Sequence, residues 1–261
     1  MTITIQDVMD KLTEHASVDH SVDKLLCGDA SNSIKGIAVA FMASQHAVES
    51  AIALGANLLI AHESPYYSHA APTAVLEGDA VYGAKLHIIE ENGLAIFRYH
   101  DYWHRYSSDG IMMGLLEALD WQSHVIEYRP AAAIVELPAM TAGDVALYLK
   151  NKLGISYIRL AGDEAAVCRR AGVLVGYRGG GASAIPLLQE ADIVIAGEGP
   201  EWEAPEYARD AALQGRGKAL IMLGHAESEE PGMKFLAKRL AEQFPAVPIH
   251  FMAGKPVFRI Y

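Results

Sequence analysis

Asn57-Leu58-Leu59-Ile60-Ala61-His62-Glu63 is an apolar run of strand length that ends in an imidazole and a carboxylate. The pattern returns twice. Leu94 to Tyr99 leads into His100-Asp101-Tyr102-Trp103-His104, and Ala219 to Leu223 leads into Gly224-His225-Ala226-Glu227-Ser228-Glu229. Each of the three histidines, His62, His100 and His225, is therefore predicted just beyond the carboxyl end of a β-strand. Open α/β sheets bind ligands at that end, so the three segments are expected to converge on one polyhistidine, polycarboxylate metal site.

Around these segments, strand-like apolar runs alternate with helix-like ones, which predicts an α/β fold with mostly parallel pairing. A helix is expected from Ile5 to His15, a strand at Ile34 to Phe41, a helix from Ser44 to Leu54 and a strand at Asn57 to Ala61. A helix from Ala80 to Asn92 should end at Gly93, since glycine tolerates the left-handed conformation of a C′ position. Further on come a short strand within Arg129 to Pro138, a helix from Thr141 to Leu153 opened by a hydroxyl cap, and an edge strand at Tyr157 to Ala161. Strands at Ala171 to Tyr177, Ile193 to Ala196 and Ala219 to Leu223 follow. The last helix, Glu229 to Phe244, shows Met233, Leu236, Leu240 and Phe244 on one apolar face.

The chain has 261 residues, 51% of them hydrophobic, enough for one large or two small domains with a buried core. A formal net charge of -11 argues against a nucleic-acid backbone binder, which needs clustered Lys and Arg. No apolar run approaches the roughly 20 residues of a membrane helix. The amino terminus shows no secretory pattern, and Cys27 and Cys168 are too few for a disulfide framework, so a cytoplasmic protein is expected.

His225 and Glu229 stand four apart at the start of the last helix, where Ser228 can cap and Pro231 is tolerated. Either they share a metal, or His225 fills a turn while Glu227, Glu229 and Glu230 complement the helix dipole. Neighbours His62 and Glu63 can both be ligands only at a strand-to-loop break, because side chains within a strand alternate in direction. Pro65 supports such a break. His100 and His104 have helical spacing, but Tyr102-Trp103 does not look helical, and Asp101 is either a ligand or an orienting partner. His15, His46, His69, His87, His124 and His250 lack comparable company and read as surface or core residues. Glu198 follows another strand and is either a second acid/base or plain surface acidity. Arg98, Arg105 and Arg178 either recognise a phosphate or carboxylate or serve as ion-pair partners. The turn Arg178 to Ser183 lacks the Walker lysine and the dinucleotide fingerprint and reads as a tight strand-to-helix crossing. Tyr66, Tyr67, Tyr99, Tyr102, Trp103 and Tyr106 either wall a ring-shaped substrate or shield the metals and pack an interface. Imidazole with carboxylate suits zinc, iron, manganese or nickel rather than calcium or magnesium.

Gly55-Ala56-Asn57-Leu58-Leu59-Ile60-Ala61-His62-Glu63, the histidine cluster after the next strand, the glycine-rich turn after Gly176, Gly224-His225 with Glu229, and the early Leu25-Leu26-Cys27-Gly28 together resemble the Nif-three-like dinuclear metal centre family. Some of its members are described as GTP cyclohydrolase 1 type 2. The resemblance covers nearly the whole chain. It implies two interlinked α/β lobes, about 1–126 with 220–261 and about 127–219, and a toroidal homohexamer, a trimer of dimers. It also implies two divalent transition metal ions per chain. The chain departs from the family in having His62-Glu63 where two histidines are usual and His104 where an aspartate is usual. The two changes compensate in charge, which marks a variant branch with a retained site. The resemblance then implies metal ligation by His62, Glu63, His104, His225 and Glu229, with His100 as an acid/base outside the ligand set.

The expected chemistry is hydrolysis by a metal-bridged hydroxide acting on a small cyclic or phosphorylated substrate. His100 would shuttle the proton. The alternative is a non-catalytic metal-binding scaffold or regulatory partner. Neither reading involves nucleic acid or a membrane.

Overall fold

The computed structural model describes residues 2–14, 18–69, 74–106 and 108–260; His15 lies outside them. The chain divides into two compact units, Met1–Gly110 with Met233–Tyr261, and Ile111–Gly232. The sequence places these changeovers near 126 and 220. The second sheet, however, takes in the strand Ala219–Met222, so the later changeover falls after it.

In the first unit the elements are α1 (Ile5–Thr13), β1 (Lys24–Cys27), β2 (Ile37–Met42), α2 (Gln45–Ala53), β3 (Leu58–Glu63), α3 (Ala80–Glu91), β4 (Ala95–Arg98) and α4 (Asp101–His104). The helix starts are written locally. Ser44 accepts the Ala47 N–H, Asp79 accepts that of Tyr82, and Thr4 with Asp7 forms a capping box on α1. Gly93 takes φ 59° just past Asn92, the left-handed exit expected of it.

The sheet of this unit is ordered β1-β4-β3-β2-β11, where β11 is Ile249–Met252. Three of its four pairings are parallel, and β1 runs antiparallel along β4. β3 is central, and Leu58 to His62 are all buried, as continuous apolar strands covered on both faces should be. On one face Val48 of α2 and Ile89 of α3 pack with Leu59, Ala61 and Ile96.

The second unit contains α5 (Gly110–Ala118), β5 (Val125–Arg129), β6 (Ala132–Thr141), α6 (Ala142–Leu153), β7 (Arg159–Gly162), β8 (Val167–Val173), α7 (Gly181–Glu190), β9 (Ile193–Ala196), α8 (Ala204–Leu213), β10 (Ala219–Met222) and the start of α9 (His225–Gln243). Its sheet is ordered β5-β6-β8-β9-β10-β7. Only β8, β9 and β10 are parallel, so this sheet is mixed rather than mostly parallel. The reason is a hairpin. The strand expected within Arg129 to Pro138 is β6, but the sequence reading lacks its antiparallel partner β5, which ends with Arg129 opposite Ala132, and Pro138 sits where β6 is irregular against β8. β7 lies at the edge, as expected of it, and Thr141 with Asp144 caps α6. Leu187 and Leu188 of α7 and Ala208 of α8 pack with Ile134, Val194 and Leu220.

α9 begins at His225, four residues before the expected start at Glu229, so Ser228 lies within the helix instead of capping it. Met233, Leu236 and Leu240 are buried as their spacing predicts. Among the described residues no helix is long and apolar enough to cross a membrane.

Gly114 of α5 and Gly232 of α9 meet so closely that a Cβ on Gly114 would collide with Gly232 Cα and the Pro231 carbonyl. Gly114→Val is therefore expected to lower the stability to urea unfolding by about 1–3 kcal/mol. An unchanged midpoint would show that these backbones do not approach in solution.

Candidate metal centre

Register brings the first two histidine segments together. β3 and β4 are parallel with Ala61 opposite Arg98, and the Tyr99 N–H donates to the Ala61 carbonyl at 2.9 Å. The strand does not end at Ala61: it runs through His62 and Glu63, its last two residues, and the loop begins at Ser64, so the expected strand-to-loop break falls directly after the pair. Beyond β4 the chain turns at once into α4, with the His104 N–H on the His100 carbonyl at 3.1 Å, so Tyr102-Trp103 is helical after all. A remote group makes that possible. The Asp23 carboxylate accepts the N–H groups of His100, Asp101 and Tyr102 at 2.8–2.9 Å, satisfying the donors that a helix start leaves open. Burial pushes the Asp23 carboxyl above its ordinary range against those three amides.

The result is a cluster of three imidazoles. His62 stacks on His100 with ring centroids 4.3 Å apart, and His104 meets both edge-on at 4.9 Å. One ring nitrogen of each lies within 4.8 Å of the others. Each Nδ1 faces an oxygen acceptor: the Tyr99 carbonyl for His62 at 3.2 Å, Asp101 Oδ1 for His100 at 3.0 Å, and Asp109 Oδ2 for His104 at 2.9 Å. A carbonyl or carboxylate oxygen can only accept, so each Nδ1 carries the proton and each lone pair is on Nε2. Ligating histidines are oriented by this kind of contact. Burial, reinforced by His62 and His104, pushes the His100 imidazole down to about 3, so at neutral pH it is uncharged. Asp101, whose other oxygen accepts the Val22 N–H at 2.9 Å, is the orienting partner in this geometry.

Glu63 and Arg98 complete this part of the site. The Arg98 side chain is 1% exposed. Its Nη2 donates to Glu63 Oε2 at 2.8 Å and to His69 Nδ1 at 3.0 Å, its Nε donates to the His62 carbonyl at 3.3 Å, and its Nη1 donates to the His69 carbonyl. Arg98 is thus a structural hub and not an exposed phosphate receptor. Nor do Tyr99 and Trp103 wall a substrate. Both are buried, and Tyr99 Oη donates to the Leu12 carbonyl at 2.9 Å.

In the second unit, His225 Nδ1 lies 2.8 Å from Glu198 Oε1 and its Nε2 lies 3.1 Å from Glu229 Oε2. Ser228 Oγ accepts the Gly176 N–H at 2.9 Å and donates to the His225 carbonyl at 2.8 Å, tying the start of α9 to the turn after β8. Gly176 has φ 57°, and a Cβ there would collide with the Glu229 carboxylate, so only glycine fits. The glycine-rich turn is a strand-to-helix crossing as expected, with the Gly181 N–H taken by Glu203. Burial would depress the His225 imidazole, but Glu229 and then Glu198 outweigh it and raise it to about 9.

The donor set fits a transition ion. One buried and two partly buried imidazoles, each anchored through Nδ1, with a carboxylate beside them are nitrogen-rich and unlike the oxygen shells of calcium or magnesium. His62, Glu63, His100 and His104 are gathered in the first unit, and His225, Glu229 and Glu198 are gathered in the second. Sequence reasoning missed Asp23 and Asp109, which lack any local signal, and His69.

Fold and site together define an α/β protein with histidine and carboxylate groups able to hold a metal ion. The model of the Duf34/NIF3 (NGG1p interacting factor 3) family matches residues 3–256, and the chain belongs to that family. It is similar to a GTP cyclohydrolase 1 type 2 homolog of Clostridium perfringens, 22% identical over 241 residues, which cover 88% of this chain and 87% of the relative. Among solved structures, it matches a Staphylococcus aureus protein over 100% of both chains with TM-score 0.79 and 20% identity. A Bacillus cereus protein related to NIF3 matches over 100% of this chain and 99% of the other, with TM-score 0.76 and 17% identity. These likenesses show the shared fold.

His100 of the first unit and His225 of the second are held in opposite charge states. In metal-free protein the ion pairs of His225 contribute stability that is complete below its ordinary value of 6.5 and is lost as pH rises through about 9. His100 acts in the other sense: its contribution is complete above 6.5 and is lost as pH falls toward about 3. Imidazole nitrogen shifts followed by NMR are expected to show His225 titrating near 9 and His100 still neutral at pH 5. Two midpoints near 6.5 would contradict the contacts described.

Proposed function

We propose that this chain is a metal-dependent hydrolase acting on a small cyclic or phosphorylated molecule. The observation that supports it best is the buried imidazole cluster, each ring anchored through Nδ1 on an oxygen acceptor. His62, Glu63 and His104 are the proposed metal ligands of the first unit, and His225 and Glu229 those of the second. A divalent transition ion so held supplies an activated water at neutral pH and polarises the bond under attack.

The protein groups have separable tasks. Arg98 holds Glu63 in place and offsets its charge. Asp101 fixes the ring of His100, which is the arrangement of a ligating imidazole, so His100 joins the proposed donor set rather than standing outside it as an acid/base. Glu198 is the proposed acid/base. Its side chain is 42% exposed, with one oxygen on His225, so it can pass a proton between the site and solvent. The name of the Clostridium perfringens relative, a GTP cyclohydrolase 1 type 2 homolog, agrees with a cyclic substrate.

Elemental analysis beside a screen of phosphoesters, amides and cyclic imidates tests this reading. His62→Ala, His104→Ala and Glu229→Gln are expected to lose metal and metal-dependent turnover while keeping the circular dichroism of the folded chain. His100→Ala separates its two roles: a ligand loses metal, whereas an acid/base keeps metal and loses turnover. Bound metal with no turnover of any compound would move the protein to a metal-binding scaffold, and a metal-free protein would refute the site.

A further inference from the structure

Within the first unit Glu63, His69 and His100 form a donor group of their own, with one atom from each within 4.8 Å of the others. His69 sits on the loop that follows β3, and only the fold brings it here. Its ring meets that of His100 edge-on, with centroids 5.0 Å apart.

The spacing of these donors is informative. His100 Nε2 stands 3.7 Å from Glu63 Oε1, and His69 Nδ1 stands 4.0 Å from Glu63 Oε2. A charge-assisted hydrogen bond between such atoms is about 2.7–2.9 Å long. The same carboxylate does make one of that length, 2.8 Å, to Arg98. Two donors on one tetrahedral ion, each about 2.1 Å from it, lie about 3.4 Å apart. The His100–Glu63 gap is thus too wide for a hydrogen bond and close to the separation of two ligands on a shared cation, whereas Glu63 Oε2 and His69 Nδ1 stand 4.0 Å apart because both face one cationic donor, Arg98 Nη2.

We infer that Glu63, His69 and His100 hold a divalent transition ion, with His69 as a ligand delivered by the loop after β3. This rests on the metal-binding reading above and adds to it a residue that the strand-end motifs do not contain. His100 has its Nδ1 on Asp101, so its single lone pair is on Nε2, the nitrogen nearest Glu63. It serves one ion, and His62 with His104 serves a neighbouring one. Two imidazoles and one carboxylate leave open positions for water and substrate, a set that suits zinc or ferrous iron.

Arg98 explains how the group is kept aligned without the ion. Its Nη2 donates both to Glu63 Oε2 and to His69 Nδ1, so a cationic group already faces the two lone pairs. On metal binding the His69 lone pair passes from Arg98 to the ion. Arg98 keeps Glu63 Oε2 and the carbonyls of His62 and His69, and the loop stays anchored. The His69 side chain is 60% exposed, so the position opens to solvent and its substitution leaves the core untouched.

Zinc alone, titrated into metal-free full-length protein and followed by calorimetry and elemental analysis after dialysis, tests the inference. His69→Ala is expected to bind one ion fewer than the unsubstituted chain, or to bind that ion ~100-fold more weakly or worse. His62→Ala should lose the ion that His62 shares with His104, and the double variant both of these first-unit ions. Circular dichroism should be unchanged in His69→Ala. An unchanged count and affinity in His69→Ala, with metal still lost in His62→Ala, would overturn this inference and leave the metal-binding reading intact. No zinc on the unsubstituted chain would overturn both.

Discussion

A guanidinium that is 1% exposed has to find acceptors for its N–H groups inside the protein, because a buried unpaired charge costs several kcal/mol. Arg98 finds them on the end of β3 and on the loop beyond it: the carbonyls of His62 and His69, the Glu63 carboxylate and the His69 ring. That requirement fixes the direction in which Glu63 points, draws His69 toward the site and holds the backbone at His62. The parallel register of β3 and β4 then sets His100 beside them. The Glu63 carboxylate and the carbonyls of His62 and His69 hold Arg98 even without the His69 ring, so the imidazole cluster and the loop are positioned together rather than one by one.

The two units solve the same problem of burying histidine in different ways. In the first, imidazole lies against imidazole, burial disfavours charge on His100, and the anchoring oxygens face Nδ1; His100 stays neutral and presents its lone pair on Nε2. In the second, His225 lies between Glu229 and Glu198 and holds a proton. A metal ligand must be deprotonated, so a cation would meet no proton on His100 near neutral pH but would have to displace one from His225.

Much of this was legible in the chain. Apolar runs ending in His62, His100 and His225 located three strand ends, and the caps at Ser44 and Thr141 and the exit at Gly93 are local signals that the fold respects. What escaped the sequence depends on distant partners. Tyr102-Trp103 has weak helix preference, and the turn forms because Asp23, 77 or more residues away, caps it. His69 carries no motif, since its place is set by Arg98 across a loop. The strand β6 is legible after the turn at Pro130, although Pro138 looks like its end and lies inside it, whereas the exposed, charged Val125–Arg129 strand β5 carries no apolar run to mark it. Glu198 was noticed for its place after β9, but its contact with His225 arises only from the packing of that strand beside β10.

X-ray absorption at the metal edge of the zinc-loaded full-length chain addresses the imidazole cluster most directly, since it reports the ligand atoms themselves. At least two imidazoles at about 2.0–2.1 Å are expected in the average shell, with the histidine scattering reduced in His62→Ala. A shell made only of oxygen atoms, the same with and without His62, would contradict a metal held by these histidines.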